Sequence, residues 1–181
     1  GLMRRACAFP ASARPPCPWG RRACASPSPP PTAAPISSAW QKVCTTPSEH
    51  KQHIARAFSQ AAATYDDAAA LQRQVGTRLL HLLEQRHQSN LAGQTVLDIG
   101  AGSGHFSRIM QEKGACVLAL DLAEGMLRRI RAPQRAAPCL LADAEALPLA
   151  ARRIHVCFRS LAIQWCNLAT TAPQMKRITR A

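Results

Sequence analysis

The sequence is short of aromatic residues, acidic residues and long apolar runs. Eight of its 181 residues are Phe, Trp or Tyr, and ten acidic side chains face 23 lysines and arginines, for a net charge of +13. So few aromatics offer little surface for base stacking. The composition therefore disfavours nucleic-acid binding and favours an acidic protein partner or a merely solvated basic face. No stretch reaches eighteen apolar residues, so we predict no membrane association.

The eight cysteines lack the spacing of a metal site. No two form C-x-x-C, and no His lies at zinc-finger spacing from a cysteine pair, so we predict no metal. Cys116, Cys139 and Cys157 fall in apolar, strand-like runs, where a reduced thiol packs as a small hydrophobe. The cysteines therefore favour a reducing, cytoplasmic location.

Prolines are concentrated near the N-terminus. Ten of the fourteen precede residue 50, in a segment without hydrophobic periodicity. We interpret residues 1–47 as a disordered Pro/Ala/Arg-rich extension and residues 48–181 as one domain. An organelle-targeting peptide is the alternative, although the prolines oppose the amphipathic helix that such a peptide needs.

The domain begins with helical patterns and continues with strands and helices in alternation. Ser48 is expected to cap a helix over residues 49–63, and a second helix spans 66–86. Its predicted apolar stripe comprises Leu71, Val75, Leu79 and Leu82 or Leu83. Strands are predicted at 95–99, 116–120, 139–142 and 154–158, with helices at 104–113, 124–131 and 170–180. This alternation predicts an α/β fold with a doubly wound parallel sheet.

A glycine loop follows the first predicted strand in VLDIGAGSGHF, residues 96–106. Gly100, Gly102 and Gly104 precede a helix start, whose unpaired N–H groups favour ligand binding. A dinucleotide fingerprint would require glycine at position 105, where this chain has His105. We interpret His105 as a solvated or capping residue rather than a catalyst.

The G-x-G-x-G spacing, with Asp98 two residues before it, resembles the first motif of class I S-adenosylmethionine-dependent methyltransferases. That resemblance implies a Rossmann-like sheet. It also implies that Asp98 and the backbone of Gly100, Gly102 and Gly104 hold the amino-acid end and ribose side of S-adenosyl-L-methionine.

Two further acids follow the second and third strands. Asp121, with Leu122 beside it, can bind a ribose diol; a helix N-terminal acid is the alternative. By the same resemblance Asp143 faces the adenine amino group and the Ala144 N–H bonds the ring; a turn-forming aspartate is the alternative.

Further segments resemble the malonyl-[acyl-carrier protein] O-methyltransferases of biotin synthesis: residues 51–74, DAEALPLA at 143–150 and LAIQWC at 161–166. By that resemblance Tyr65, Gln72, Gln164 and Trp165 are candidate cofactor or substrate contacts, although Trp165 could equally pack a lid. Tyr65 and Gln72 belong to the family motif F-x-x-A-A-x-x-Y-(x)6-Q, which Phe58 begins. Phe58 itself is favoured as a helix-face anchor. Ser160 is also a candidate cofactor contact, because its hydroxyl can donate a hydrogen bond.

The implied reaction needs no general base. A malonyl carboxylate is ionised at neutral pH, so alignment and exclusion of water would suffice, and no catalytic residue is assigned. The implied partner is an acyl carrier protein carrying malonyl, which is acidic as a class and would suit the basic surplus.

The chain departs from the family in two ways. The family usually has Phe-Asp before the fourth strand and Ser-Asn at its end, where this chain has Ile154, His155, Arg159 and Ser160. Arg159 would place a cation beside the cofactor. A complete class I fold has three more strands, so we expect a truncated sheet of about four parallel strands with an apolar edge. A quinone-type methyltransferase, or a cofactor-binding remnant without activity, remain the alternatives.

Overall fold

A four-stranded parallel sheet forms the centre of the chain in the computed structural model, which describes residues 47–86, 91–130 and 137–180. The strands are β1 (Thr95–Ile99), β2 (Cys116–Asp121), β3 (Cys139–Leu141) and β4 (Val156–Arg159), in the order β3-β2-β1-β4. All neighbours are parallel, so their carboxyl ends meet at one edge. The predicted doubly wound α/β fold is confirmed. The predicted extension lies outside the described residues apart from Pro47.

Helices precede the sheet and connect its strands. They are α1 (Glu49–Ala61), α2 (Tyr65–Ala68), α3 (Ala70–Arg86), α4 (His105–Glu112), α5 (Glu124–Ile130) and α6 (Leu168–Ile178), with a 3-10 turn at Ile163–Trp165. Ser48 caps α1 as predicted, because its hydroxyl accepts a hydrogen bond from the Lys51 N–H. Within the described ranges, no helix is long and apolar enough to cross a membrane.

The core lies on both faces of the sheet. Leu97 and Leu118 point to one face, where Ile178 of α6 packs. Val96 and Val117 point to the other, against side chains of α3 and α4. This alternation follows from the two-residue period of a strand, and helices covering both faces bury all five residues of β1.

The predicted second helix differs from the observed one in continuity and in its buried face. Ala69 interrupts it between α2 and α3. Leu71, Leu79 and Leu82 are exposed, so these members of the predicted apolar stripe are wrong. Val75 is half-buried and Leu83 packs against the core, whereas the buried residues of α3 are Gly76 and Leu80.

The reason for the different buried face lies at Gly76. A side chain there would collide with the ring of Phe106 on α4. The helices therefore approach at the smallest residue of α3, and this contact selects the face that carries Leu80.

The N-terminal side of β4 is joined to β1 through a histidine. The Thr95 N–H donates a 2.8 Å hydrogen bond to Nδ1 of His155. Burial, and then the charge of Arg180, lower the pKa of His155, which favours the neutral ring that accepts this bond. Ile154, predicted within the strand, instead forms an isolated bridge with Thr179, so β4 begins at Val156.

Two half-buried cysteines of the described residues have perturbed thiols. Burial raises the pKa values of the Cys157 and Cys166 thiols.

Candidate functional site

The turn from β1 into α4 is a glycine loop in the left-handed conformation. Gly100, Gly102 and Gly104 have φ angles of +70°, +55° and +82°, where a side chain is strained. The Gly100 N–H donates to the Leu120 carbonyl at 2.8 Å, which ties the loop to β2. A Cβ at Gly100 would collide with the side chain of Ala162, so glycine also permits a close approach to the segment after β4.

Asp98 lies beneath the loop, at 3% exposure. Its Oδ2 accepts a 2.6 Å hydrogen bond from the Ser107 hydroxyl on α4. Burial raises the pKa of Asp98 to about 7, against the lowering effect of Ser107, and the charge of Asp121 adds to the rise. Asp98 therefore links the end of β1 to α4.

Asp121 joins two loops at the end of β2. Its Oδ2 accepts the Gly102 N–H at 2.9 Å, and its Oδ1 accepts the Ala123 N–H at 2.8 Å, just before α5. Burial raises the pKa of Asp121, and the bonds from Ala123 and Gly102 oppose that rise. This carboxylate lines a cavity and also accepts a hydrogen bond next to the start of α5. Its position is therefore compatible both with ribose binding and with the alternative role of a helix N-terminal acid.

Asp143 is buried after β3 and is paired with a lysine. Lys51 Nζ on α1 lies 2.7 and 2.8 Å from its two oxygens and 2.7 Å from Oε1 of Glu145. The Glu145 N–H also donates to Asp143 Oδ1 at 3.0 Å, which is the turn predicted as the alternative. Asp143 therefore ends a strand, forms a turn and anchors α1.

A cavity of about 230 Å³ lies at the carboxyl edge of the sheet, with α1 as one wall. It brings together most of the predicted site residues. Those lining it are Tyr65, Gln72, Gly100, Gly102, Asp121, Leu122, Asp143, Ala144, Ser160, Gln164 and Trp165. Asp98 and Gly104 do not line it.

Three aromatic rings form one side of the cavity. Phe58 lies edge-on to Tyr65 and to Trp165, with both pairs of ring centroids 6.0 Å apart. Phe58 therefore anchors its helix, as favoured from the sequence, and also lines the cavity. Burial, followed by the charges of Asp121 and Asp66, raises the pKa of the Tyr65 hydroxyl, which stays protonated.

The end of the cavity beside β4 has a buried polar atom without a partner. Among the described residues, Gln72 Oε1 is buried and accepts no hydrogen bond. The Ser160 hydroxyl donates to the main-chain carbonyl of Gln72 at 3.5 Å, not to its side chain. Arg159 was expected beside the cofactor, but its guanidinium extends to within 3.8 Å of Met175 Sδ, and it does not line the cavity. The cation therefore does not obstruct this end.

Sequence reasoning missed Lys51 and Ala55 on the cavity-facing side of α1. Lys51, Ile54, Ala55 and Phe58 all line the cavity. Their positions i, i+3, i+4 and i+7 share one helix face, so the spacing could have placed Lys51 beside Ile54 and Phe58. Within the ranges the structure describes, no group of three or more His, Cys, Asp or Glu could hold a metal.

Comparison with known proteins first identifies the class. Residues 97–181 match the family model described as a methyltransferase domain. The fold is similar to the crystal structure of a putative S-adenosyl-L-methionine-dependent methyltransferase from Methanococcus maripaludis. The TM-score is 0.58 at 18% identity, over 68% of this chain and 59% of that one. The fold is therefore Rossmann-like, and residues 97–181 have the sequence of a methyltransferase domain.

Curated relatives narrow the class further. The chain is 47% identical over 132 residues to the malonyl-[acyl-carrier protein] O-methyltransferase of Serratia marcescens, covering 72% of this chain and 50% of the relative. The protein of that name from Yersinia pestis is 45% identical over 143 residues, covering 78% and 52%. The predicted resemblance is confirmed. The chain spans about half the length of these relatives.

A third relative is named for its part in biotin synthesis. The biotin biosynthesis bifunctional protein BioHC of Cellvibrio japonicus is 46% identical over 118 residues, covering 64% of this chain and 22% of the relative.

Proposed function

We propose that the chain binds S-adenosylmethionine in the cavity at the carboxyl edge of the sheet. We further propose that it serves methyl transfer to the free carboxylate of a malonyl-[acyl-carrier protein] in biotin synthesis. The observation that carries the proposal is the position of Asp121, whose carboxylate joins the glycine loop to α5 and faces the cavity. The names of the relatives support the choice of substrate.

The residues present fit this cofactor. Asp121 would accept hydrogen bonds from the ribose diol, and Asp143 with Ala144 would bind the adenine. Gln72 Oε1 offers an unused acceptor to the remainder of the ligand. The bound cofactor supplies a methyl group on a positively charged sulfur.

The side chains would align the reactants rather than move protons. A malonyl carboxylate is already ionised at neutral pH, so no side chain need remove a proton. His105 packs edge-on to Phe106 and does not line the cavity, so we do not propose it as a base. The aromatic side of the cavity would exclude water. The net charge of +13 would favour an acidic carrier protein in the cytoplasm, the compartment predicted from the sequence.

Calorimetry with S-adenosylhomocysteine tests the cofactor and its site together. We expect binding to the chain and a loss of at least about tenfold in affinity for Asp121→Asn, which keeps the size but removes the charge. Glu112→Gln is the matched control, because that side chain is 68% exposed and lies away from the cavity. Equal affinity of all three proteins would contradict the proposed site.

Methyl transfer from labelled donor tests the reaction. The expected product is a methyl ester on malonylated carrier protein, and none on an unmalonylated carrier or a quinone precursor. Transfer to the quinone precursor alone would favour the quinone-type alternative, and cofactor binding without transfer would favour the inactive alternative. Affinity for polynucleotide that falls steeply with salt, without cofactor binding, would point to nucleic acid instead.

A further inference from the structure

A buried lysine on α1 connects two carboxylates at the end of the cavity beside β3. Lys51 is 8% exposed, and its Nζ lies within 2.8 Å of both oxygens of Asp143 and of Oε1 of Glu145. Lys51 and Asp143 are 92 positions apart in the sequence, and both line the cavity.

This ion pair is poorly explained by stability alone. Burying a lysine requires its desolvation, and a buried ion pair is often no more stabilising than a well-packed apolar pair. Burial lowers the pKa of Lys51, but its hydrogen bonds to Asp143 and Glu145 outweigh that effect and raise it, so the ammonium is charged at neutral pH. The cost of burial suggests a role at the cavity.

Hydrogen bonding leaves Asp143 one free acceptor position. Oδ1 accepts from Lys51 Nζ and from the Glu145 N–H, whereas Oδ2 accepts from Lys51 Nζ alone. Each carboxylate oxygen can accept about two hydrogen bonds. Within the described part of the chain, one acceptor position therefore remains on Oδ2, in a residue that lines the cavity. Its direction is set by Lys51 together with the Glu145 N–H.

Other contacts also hold α1 against the domain, at a distance from Asp143. The Ser59 hydroxyl accepts the Gly125 N–H at 3.1 Å, and Ala62 packs with Ala123 and Met126. Loss of the Lys51 ammonium would therefore leave α1 attached, while the Asp143 carboxylate would keep, among the described residues, the Glu145 N–H alone as a hydrogen-bond partner.

We propose that Lys51 is a positioning residue that orients Asp143 to accept a hydrogen bond from the amino group of the ligand's base. This inference rests on the proposed cofactor, and it makes Lys51 a determinant of base selectivity. A base that carries a carbonyl in place of the amino group would present an acceptor to an acceptor and would be rejected.

The test compares S-adenosylhomocysteine with its deaminated analogue, S-inosylhomocysteine, by calorimetry. The wild-type chain should prefer the amino ligand by at least about tenfold. Lys51→Met removes the charge and should reduce this preference severalfold, mainly through weaker binding of the amino ligand. Lys51→Arg should restore most of the preference, since a guanidinium can also bind both carboxylates.

Ser59→Ala is the matched control, because it removes another contact of α1 without touching Asp143. It should alter the affinities for both ligands by the same factor. If Lys51→Met lowers the affinity for both ligands by the same factor, or leaves the preference for the amino ligand unchanged, the inference is overturned and the proposed function stays intact. Failure of the wild-type chain to bind S-adenosylhomocysteine would overturn both. If circular dichroism shows that Lys51→Met does not fold, the result for Lys51→Arg decides. Loss of its preference for S-adenosylhomocysteine over S-inosylhomocysteine would contradict the proposal.

Discussion

The Ser107 hydroxyl donates a 2.6 Å hydrogen bond to the buried Asp98 carboxylate, directly beneath the glycine loop. The same acid was predicted to contact the cofactor, but it does not line the cavity. Its location instead makes it a buried link between β1 and α4, and burial raises its pKa to about 7. A carboxyl group with so high a pKa has measurable consequences for stability.

Asp98→Asn should stabilise the chain above about pH 7. The unfolded acid ionises near its ordinary pKa of 3.8, whereas the folded acid ionises at about 7. The stability that the neutral acid contributes is therefore full below pH 3.8 and is lost as the pH rises toward 7. An amide avoids this loss and can still accept from Ser107. The gain should be a few kcal/mol, at about 1.4 kcal/mol per pKa unit, measured by urea unfolding at several pH values.

Ser107→Ala provides the control for Asp98. Since the hydroxyl lowers the pKa of Asp98, its removal should move the loss of stability to higher pH. A difference between wild type and Asp98→Asn that stays constant from pH 4 to pH 8 would show that the carboxyl is ionised throughout, contrary to this prediction.

Local patterns predicted β1 and the glycine loop closely, because both depend on neighbouring residues. The run TVLDI is buried at every position, and the glycines end it where the backbone becomes left-handed. The pairing of Lys51 with Asp143 joins positions 92 apart, and composition alone would leave a lysine exposed.

The buried face of α3 could not be chosen from periodicity. Leu79 and Leu80, like Leu82 and Leu83, are adjacent, so two overlapping apolar stripes fit the same helix. The contact of Gly76 with Phe106 decides between them, and it depends on how α3 and α4 pack.

Gly100→Ala should destabilise the chain more than Gly102→Ala does. Both positions have positive φ, which costs an alanine about 1–2 kcal/mol. At Gly102 the nearest atom to a new Cβ is Tyr65 Cε1 at 3.6 Å, an ordinary contact, whereas at Gly100 the new Cβ collides with Ala162. Urea unfolding of the two variants measures the difference.

Ala162→Gly separates the two costs at Gly100. In the double variant Gly100→Ala, Ala162→Gly the steric part of the destabilisation should disappear, and the cost of the positive φ should remain. Its free energy of unfolding should therefore approach that of the double variant Gly102→Ala, Ala162→Gly. Strict additivity of the two substitutions at positions 100 and 162 would contradict the collision.

Gln72→Leu should weaken ligand binding without loss of stability. Gln72 Oε1 is buried without a hydrogen-bond partner among the described residues, so the free chain already bears its desolvation cost. Leucine removes that cost and has a similar size, so the free energy of unfolding should stay equal or rise by up to about 1 kcal/mol. If the atom accepts a hydrogen bond from the ligand, affinity for S-adenosylhomocysteine should fall by about tenfold.

Gln74→Leu is the matched control for Gln72, because Gln74 is exposed on the same helix and does not line the cavity. It should leave affinity unchanged. The informative result is the opposite direction of the two effects at position 72, because a residue that only supports the fold would lose stability and affinity together. Equal or tighter binding by Gln72→Leu would show that the acceptor meets no donor of this ligand, and the predicted contact would then be wrong.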